Sequence, residues 1–395
     1  MKRVLILGAG FLQSFLIKHA RKLGYYTIAI DKNPCAEAFA HANEYEVIDI
    51  VDQKACLKFA ISKKIDGVVT AATDYGVLST AYVAQEMGLP GLSYNVAQTM
   101  RNKYLVRKRL HETGIDGVNQ YYEVSTTCEL DKLKKQIRFP VIVKPCDGSG
   151  SRAVEKVSCF ENLERACVNA INASLAGKAL IEEFIHGQEV GAEAFVYNGQ
   201  CIVIAIMDKR MTDPPYYAEL GHCYPSTVAN TDNVKDILRR VVKALGVDFG
   251  AVNFDIIVTD DHRVCIIDVG ARMGGNLIGS HIVPLGTGID YMGNLIRASV
   301  GDPIDTTTTD RLCVATRLLA LTPGKVKTLP DFERISREHL VQVYPRLNVG
   351  DVIRQYKNNL DGCGYVVSVG DDLNEVELRV ESAKNRINRE IVREI

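Results

Sequence analysis

Residues 141–152 read VIVKPCDGSGSR. Three apolar β-formers run into Lys144 and Pro145, which reads as a buried strand with a lysine at its end. An ammonium there is costly unless it meets an anion. Gly148, Ser149, Gly150 and Ser151 then form a loop whose backbone N–H groups can fold over phosphates, with Asp147 before it and Arg152 adding charge after it. The loop is not of the Walker A kind, because no Gly-Lys-Ser/Thr follows. Taken alone, the same twelve residues would also suit a plain hairpin with a snorkelling lysine.

Two further stretches lie downstream. Residues 180–190, LIEEFIHGQEV, bring Glu182, Glu183 and Glu189 close to one strand end; residues 182–185 offer extended backbone to a flat heterocycle, and Glu189, beyond a Gly turn, is placed to accept from ribose hydroxyls. An acidic solvated strand face is the plainer alternative. Residues 253–258, NFDIIV, and 265–272, CIIDVGAR, put Asp255 and Asp268 on two apolar strands joined by a short turn. Two carboxylates buried side by side call for a cation, and Mg²⁺ shared with nucleotide phosphates suits them. Arg272 follows four residues later, able to meet a phosphate or carboxylate with two N–H groups.

Upstream, the first third alternates strand and helix: RVLILGAG, a helix closed by Gly24, YTIAID ending on Asp31, EYEVID, a helix from about 52 to 63, DGVVTA, and a helix closed by Gly88 and Pro90. That order predicts a parallel sheet with crossover helices. Gly8-Ala9-Gly10 with Asp31 about 20 residues on is half of a dinucleotide fingerprint, with Gln13 where the third glycine belongs. Past residue 119 the pattern turns to α+β. Helices are expected over CELDKLKKQI and ENLERACVNAINASLAG, hairpins turning at Asn198-Gly199 and Asp260-Asp261, and a final helix in NEVELRVESAKNRINREIV. Boundaries near 118 and 310 give three regions: 1–118, 119–310 (divided into 119–195 and 196–310) and 311–395.

Composition excludes several classes. Of 395 residues, 47% are hydrophobic and 24% charged, so the chain can build a core and is not a disordered tail. A net charge of -1 lacks the basic footprint of nucleic-acid binding. No apolar run reaches the roughly 20 residues of a membrane span, and no export signal is apparent. The 11 scattered cysteines include no Cys-x-x-Cys pair, so reduced thiols in the cytoplasm are expected.

In their order and spacing these segments resemble the ATP-grasp superfamily. The carrying residues are NVAQTMRNKYLVRKRL (95–110), VIVKP-DGSGS, IEEFIHGQE, FDIIV…IIDVGARMGG and the tail GCGYVVSVGDDLNEV. The implied fold is an α/β parallel-sheet (pre-ATP-grasp) domain, then an α+β ATP-grasp fold, then a small C-terminal domain that completes it. The resemblance implies that Lys103 and Lys144 contact ATP phosphates and that the loop from Asp147 to Arg152 closes over them. Glu182, Glu183, Phe184 and Ile185 would form the adenine hinge, and Glu189 would take the ribose. Lys209 would be a further phosphate lysine, Asp255 and Asp268 would hold Mg²⁺, and Arg272 would steady the transferring group. ATP and one or two Mg²⁺ are the expected cofactors, with Mn²⁺ able to substitute.

Three positions depart from the family pattern. Asp268 stands for the usual Glu, Gly270 for the usual metal-binding Asn, and Asn253 for an Arg found in some members. The implied reaction is attack of a substrate carboxylate on the γ-phosphate, giving an acylphosphate and ADP, followed by attack of an amine. DPPYYAELGHCYPS (213–226) and MGGNLIGSHIVPLGTGIDY (273–291) resemble stand-alone ligases of amino acids, which makes His222 a candidate for proton transfer and His281 a weaker one. The alternatives are a purine-pathway ribonucleotide ligase or carboxylase of the same superfamily, an ATP-binding protein without turnover, and a nicotinamide oxidoreductase. Expected partners are small-molecule carboxylate and amine substrates, neither nucleic acid nor membrane, and a second copy of the chain in a homodimer as a family-level expectation.

Overall fold

The structure is a computed structural model that describes the chain except for residues 116, 149, 215, 310 and 395. The N-terminal strands β1 (Arg3–Leu7), β2 (Tyr26–Asp31), β3 (Glu44–Val47) and β4 (Gly67–Val69) form a parallel sheet in the order β3-β2-β1-β4. Val4 to Leu7 are fully buried, which explains their unbroken apolar run. Asp52 caps the helix Gln53–Lys63 by accepting from Ala55 N–H, and Gly88 closes Val77–Met87 in the left-handed conformation.

Next come β5 (Tyr121–Val124), β6 (Val141–Pro145), β7 (Glu155–Val157) and β8 (Ala179–Glu183), an antiparallel sheet ordered β5-β8-β6-β7 and backed by the helix Leu163–Ala173. The helix expected over CELDKLKKQI shrinks to one turn, Leu130–Leu133. Leu130 and Ile137 are buried and Leu133 packs on the same core, so the segment stays anchored although its helix ends after one turn.

The third layer starts with β9 (Gln188–Tyr197), β10 (Gln200–Met211), β11 (Glu219–Tyr224), β12 (Gly250–Val258) and β13 (Val264–Gly270). The C-terminal region adds β14 (Cys313–Leu318), β15 (Gly324–Thr328), β16 (Gln342–Pro345), β17 (Val352–Ile353), β18 (Gly364–Gly370) and β19 (Val392–Glu394). One antiparallel sheet runs β13-β12-β9-β10-β11-β14-β18-β16, so strands from beyond residue 310 extend the sheet begun by β9. Asn198 and Gly199, both at positive φ, make the tight turn between β9 and β10. One core cluster joins Leu16 and Ile17 of the first helix to Ile282, Tyr291 and Val314, locking the N-terminal sheet onto the large one.

Candidate functional site

A cleft of about 580 Å³ opens between the β6–β8 sheet and the eight-stranded sheet, a size suited to a small-molecule ligand. Lys144 leaves the end of β6 and meets Glu182 at 2.5 Å and the Ile267 carbonyl at 2.9 Å. Arg107, from the helix Lys103–Glu112, reaches the other oxygen of Glu182 at 2.6 Å. Burial would raise the pKa of Glu182, but Arg107 and Lys144 outweigh it and hold it below the usual carboxylate range. The Glu182 side chain is thus committed to two cations. Glu183 is committed as well, accepting from Asn119 N–H at 2.7 Å and from its side-chain amide. All four residues of the expected hinge, Glu182 to Ile185, line the cleft, and the Ile185 backbone has no hydrogen bond among the described residues. Lys156 lies 3.7 Å from the Phe184 ring centre.

Asp255 and Asp268 are direct cross-strand partners on β12 and β13, and both open on the cleft. Each already has a lysine: Lys209 lies 2.9 Å from Asp255, and Lys103 is ion-paired with Asp268. Burial opposes ionisation of Asp268, yet Lys103 and Lys144 keep its pKa low. Lys209 also holds Glu219 at 2.7 Å. Burial would lower the pKa of Lys209, and Asp255, Glu219 and Glu189 together raise it well above its ordinary value. Among the described residues no group of three His, Cys, Asp or Glu side chains could hold a metal ion by itself. Two adjacent ionisable carboxylates suit Mg²⁺ that arrives on phosphates and keeps its waters, and they do not suit an all-protein metal cage. Glu189 lines the same wall, its pKa raised by burial.

Arg272 grips Asp74 with two N–H groups, at 2.9 and 3.0 Å, and donates to the Asn253 side-chain oxygen at 3.0 Å. Asn253 in turn donates to Glu193, which also accepts from Gly274 N–H at 2.9 Å. Glu193 is fully buried, and burial pushes its pKa up to about 7. The hydrogen-bond arithmetic agrees. Tyr291 Oη lies 2.8 Å from Glu193 and 2.9 Å from the Ala194 carbonyl, and its single proton can serve only one of them fully.

The glycine loop follows Lys144. Gly148 and Gly150 take positive φ of 90° and 80°, which suits glycine. Asp147 faces inward, accepting from Ser174 Oγ at 2.6 Å and Leu175 N–H at 3.0 Å, so it anchors the base of the loop. Arg152 donates to the hydroxyl of Tyr75. Ser149, expected on this loop, lies outside the described residues; Ser151 lines the cleft.

The two candidate histidines are not on the cleft lining. His222 is buried behind Glu219, its Nε2 3.8 Å from that carboxylate, and burial lowers its pKa. His281 accepts from Ser280 at Nδ1 (2.8 Å) and donates from Nε2 to Tyr344 (2.7 Å), whose own O–H goes to Gln342; this order of donors assigns the tautomer. Its pKa is lowered to about 4 by burial. It pins β16 to the core, with Phe15 edge-on at 5.0 Å.

At the N-terminal turn, Ala9 N–H donates to Asp31 at 2.9 Å and Gly8 N–H to the Ile30 carbonyl at 2.8 Å. Gln13 lies over Gly8 and donates to the Ala71 carbonyl at 2.7 Å. Asp31 and Gln13 thus occupy part of the half-fingerprint, and the helix Phe11–Lys22 that follows has no side-chain cap.

Sequence reasoning missed Asp74, Glu193 and Glu219. Asp74 lies just past the carboxyl end of β4, where parallel sheets place ligand contacts. Glu193 was legible as an acid inside an apolar strand. Glu219 stood in the segment already singled out for His222.

The description "ATP-grasp domain" matches residues 137–280, which contain the lysine strand, the glycine loop and both aspartates. The chain carries an ATP-grasp domain. A second description, "L-amino acid ligase C-terminal domain 2", matches residues 317–392. The chain is 24% identical to the formate-dependent phosphoribosylglycinamide formyltransferase of Sulfurisphaera tokodaii over 98% of this chain and 96% of that one. Its fold is similar to the crystal structure of L-amino acid ligase from Bacillus licheniformis (TM-score 0.87, 19% identity, 100% and 99% of the two chains). It is also similar to phosphoribosylglycinamide synthetase from Anaerococcus prevotii (TM-score 0.78, 23% identity, 100% of both). The ATP-grasp fold, with its parallel-sheet N-terminal region and small C-terminal part, is therefore common to these proteins and this chain. No helix among the described residues is long and apolar enough to cross a membrane.

Proposed function

We propose that this ATP-grasp chain is an ATP- and Mg²⁺-dependent ligase that activates a substrate carboxylate as an acylphosphate and joins it to an amine, with amino acids as substrates and ADP and phosphate as by-products. The observation that carries the reading is the convergence of Lys103, Lys144 and Lys209 with Asp255 and Asp268 on one cleft beside a glycine loop. Three lysines, each already set by a carboxylate, beside two cross-strand aspartates match a triphosphate that brings its own divalent ion.

Asp255 and Asp268 would hold Mg²⁺, which supplies neutralisation of phosphate charge when bound. Phe184, Ile185 and Glu189 would receive the nucleoside. Lys144 is pre-set by Glu182 and needs little reorganisation to meet a phosphate oxygen. Lys103 and Lys209 would exchange part of their carboxylate contact for phosphate. Arg272, held by Asp74 and Asn253, would orient the acyl group for in-line attack. The loop at Gly148–Arg152 would keep water from the acylphosphate.

The match of residues 317–392 to the L-amino acid ligase C-terminal domain supports amino acids over ribonucleotides. The N-terminal turn is partly taken, with Ala9 N–H committed to Asp31 and Gln13 lying over Gly8, while the N-terminus of the helix Phe11–Lys22 carries no side-chain cap.

The test is ADP and phosphate release from Mg·ATP with pooled amino acids, dipeptides and purine-pathway ribonucleotides, read with product masses. Turnover with amino acids and a new amide mass is expected. Turnover with ribonucleotides only would move the protein to the purine reading, and bound ATP without turnover on any pool would favour a binding protein.

A further inference from the structure

The glycine loop is held from two sides. Arg152 meets Tyr75 on the N-terminal side, and the Gly150 carbonyl accepts from the backbone N–H of Asn359 at 3.4 Å on the C-terminal side. A Cβ built on Gly150 would stand 3.9 Å from that of Asn359, so loop and turn are in van der Waals contact. Asn359 starts the single turn Asn359–Asp361, which is fixed by a reciprocal cap between Asn358 and Asp361.

The Asn359 side chain points to Glu219. Its Nδ2 donates to Glu219 Oε2 at 3.0 Å, and Tyr356 donates to the Glu219 carbonyl beneath. The carboxylate of Glu219 also accepts from Asn276 and Lys209. Burial opposes its ionisation, yet Lys209 and His222 bring its pKa down to about 2. A carboxylate with donors from three walls of the cleft has little capacity left for a substrate ammonium; it acts as scaffold. A continuous line of contacts thus runs from the glycine loop through Asn359 and Glu219 to Lys209 and Asp255.

We propose that Asn359 is a positioning residue that holds the glycine loop against the C-terminal wall and ties its closure to the Glu219–Lys209 pair. It rests on the reading of the loop as the cover of a bound nucleotide. Asn359 makes closure depend on a correctly set Lys209, so that water is shut out only where the phosphate lysine is in place.

Limited trypsin digestion of the full chain reads this directly, because Arg152 is a cleavage site on the loop and fragments 1–152 and 153–395 have distinct masses. In the ligand-free protein, Asn359→Ala is expected to be cut after Arg152 roughly five-fold faster than wild type, the size of one lost hydrogen bond, with an unchanged melting temperature. Asn359→Asp keeps the backbone N–H that meets Gly150 but sets a second carboxylate against Glu219, and it should open the loop too. A wild-type rate in the alanine variant overturns the proposal. A fast alanine variant beside a wild-type-like aspartate variant overturns the link through Glu219. If the alanine variant does not fold, the aspartate variant decides alone. A non-hydrolysable ATP analogue with Mg²⁺ should restore wild-type protection to Asn359→Ala, which a general loosening of the C-terminal turn would not allow. Failure of the analogue to protect even wild type would count against the nucleotide reading, while the ligand-free comparison still judges the latch.

Discussion

The guanidinium of Arg272 stands within 3.1 Å of the place a Cβ on Gly270 would occupy. The two positions form a pair. Glycine at 270 leaves the space through which Arg272 reaches Asp74 and Asn253. Where the ATP-grasp resemblance expects an asparagine ligand, this chain leaves the space at 270 to the Arg272 guanidinium.

Restoring the asparagine should therefore do harm. Gly270→Asn is expected to push Arg272 off Asp74 and to destabilise the fold by about 2 kcal/mol, within the range for disturbing a largely buried ion pair. Urea unfolding of both proteins measures this. Unchanged stability would mean that Arg272 has another resting place and that the pairing argument is wrong.

Glu182 gives a second test, because its side chain is committed to Lys144 and Arg107 and does not face adenine. Glu182→Gln leaves two buried cations without their counter-charge. A loss of about 3 kcal/mol is expected, together with at least ten-fold weaker nucleotide binding as Lys144 loses its anchor. Weaker binding with full stability would restore the adenine role expected from the resemblance.

Glu193 links stability to pH. Its folded pKa, about 7, lies above its ordinary value of 4.5, so the folded chain holds an extra proton between those limits. The contribution is complete below about pH 4.5 and is lost as pH rises through 7, amounting to about 3 kcal/mol at most. In Glu193→Gln the amide can keep the Asn253 and Gly274 contacts and donate to Tyr291, and no proton is involved. Wild type should lose stability relative to this variant between pH 5 and 7.5 in urea titrations. Parallel curves would place an ionised Glu193 in the core.

Much of this was legible in the sequence, for physical reasons that differ by region. The parallel sheet was readable because β1 is buried on both faces and carries an unbroken apolar run. The cation–carboxylate cleft was readable because Lys144, Asp255 and Asp268 sit in strands where charge needs a partner. The partners themselves were not readable. Asp74 is 198 residues from Arg272 and Arg107 is 75 from Glu182, and no local pattern encodes such meetings. His222 carries a chemical signal that Glu219 lacks, yet the register sets His222 opposite Lys209 and Glu219 opposite Met211, and across the intervening bulge it is Glu219 that reaches the Lys209 ammonium and the cleft while the imidazole stays buried behind it. Of the helix expected at CELDKLKKQI only the turn Leu130–Leu133 forms, although Leu130, Leu133 and Ile137 all reach one core.

The paired aspartates carry the last prediction. Asp255→Asn removes one of two adjacent carboxylates on β12 and β13 and leaves Lys209 with Glu219 alone. The charge that would attract a divalent ion is halved, while Lys209 stays paired, so the fold should remain intact. The half-saturating Mg²⁺ concentration for nucleotide binding is therefore expected to rise about ten-fold or more, with melting temperature nearly unchanged. Asp268→Asn should do the same and also free Lys103. Titrating Mg²⁺ against a fluorescent ATP analogue, with chelator as the zero point, separates the outcomes: an unaltered Mg²⁺ requirement in both variants would remove these aspartates from the metal site, and equal binding with and without chelator would remove the metal from nucleotide recognition.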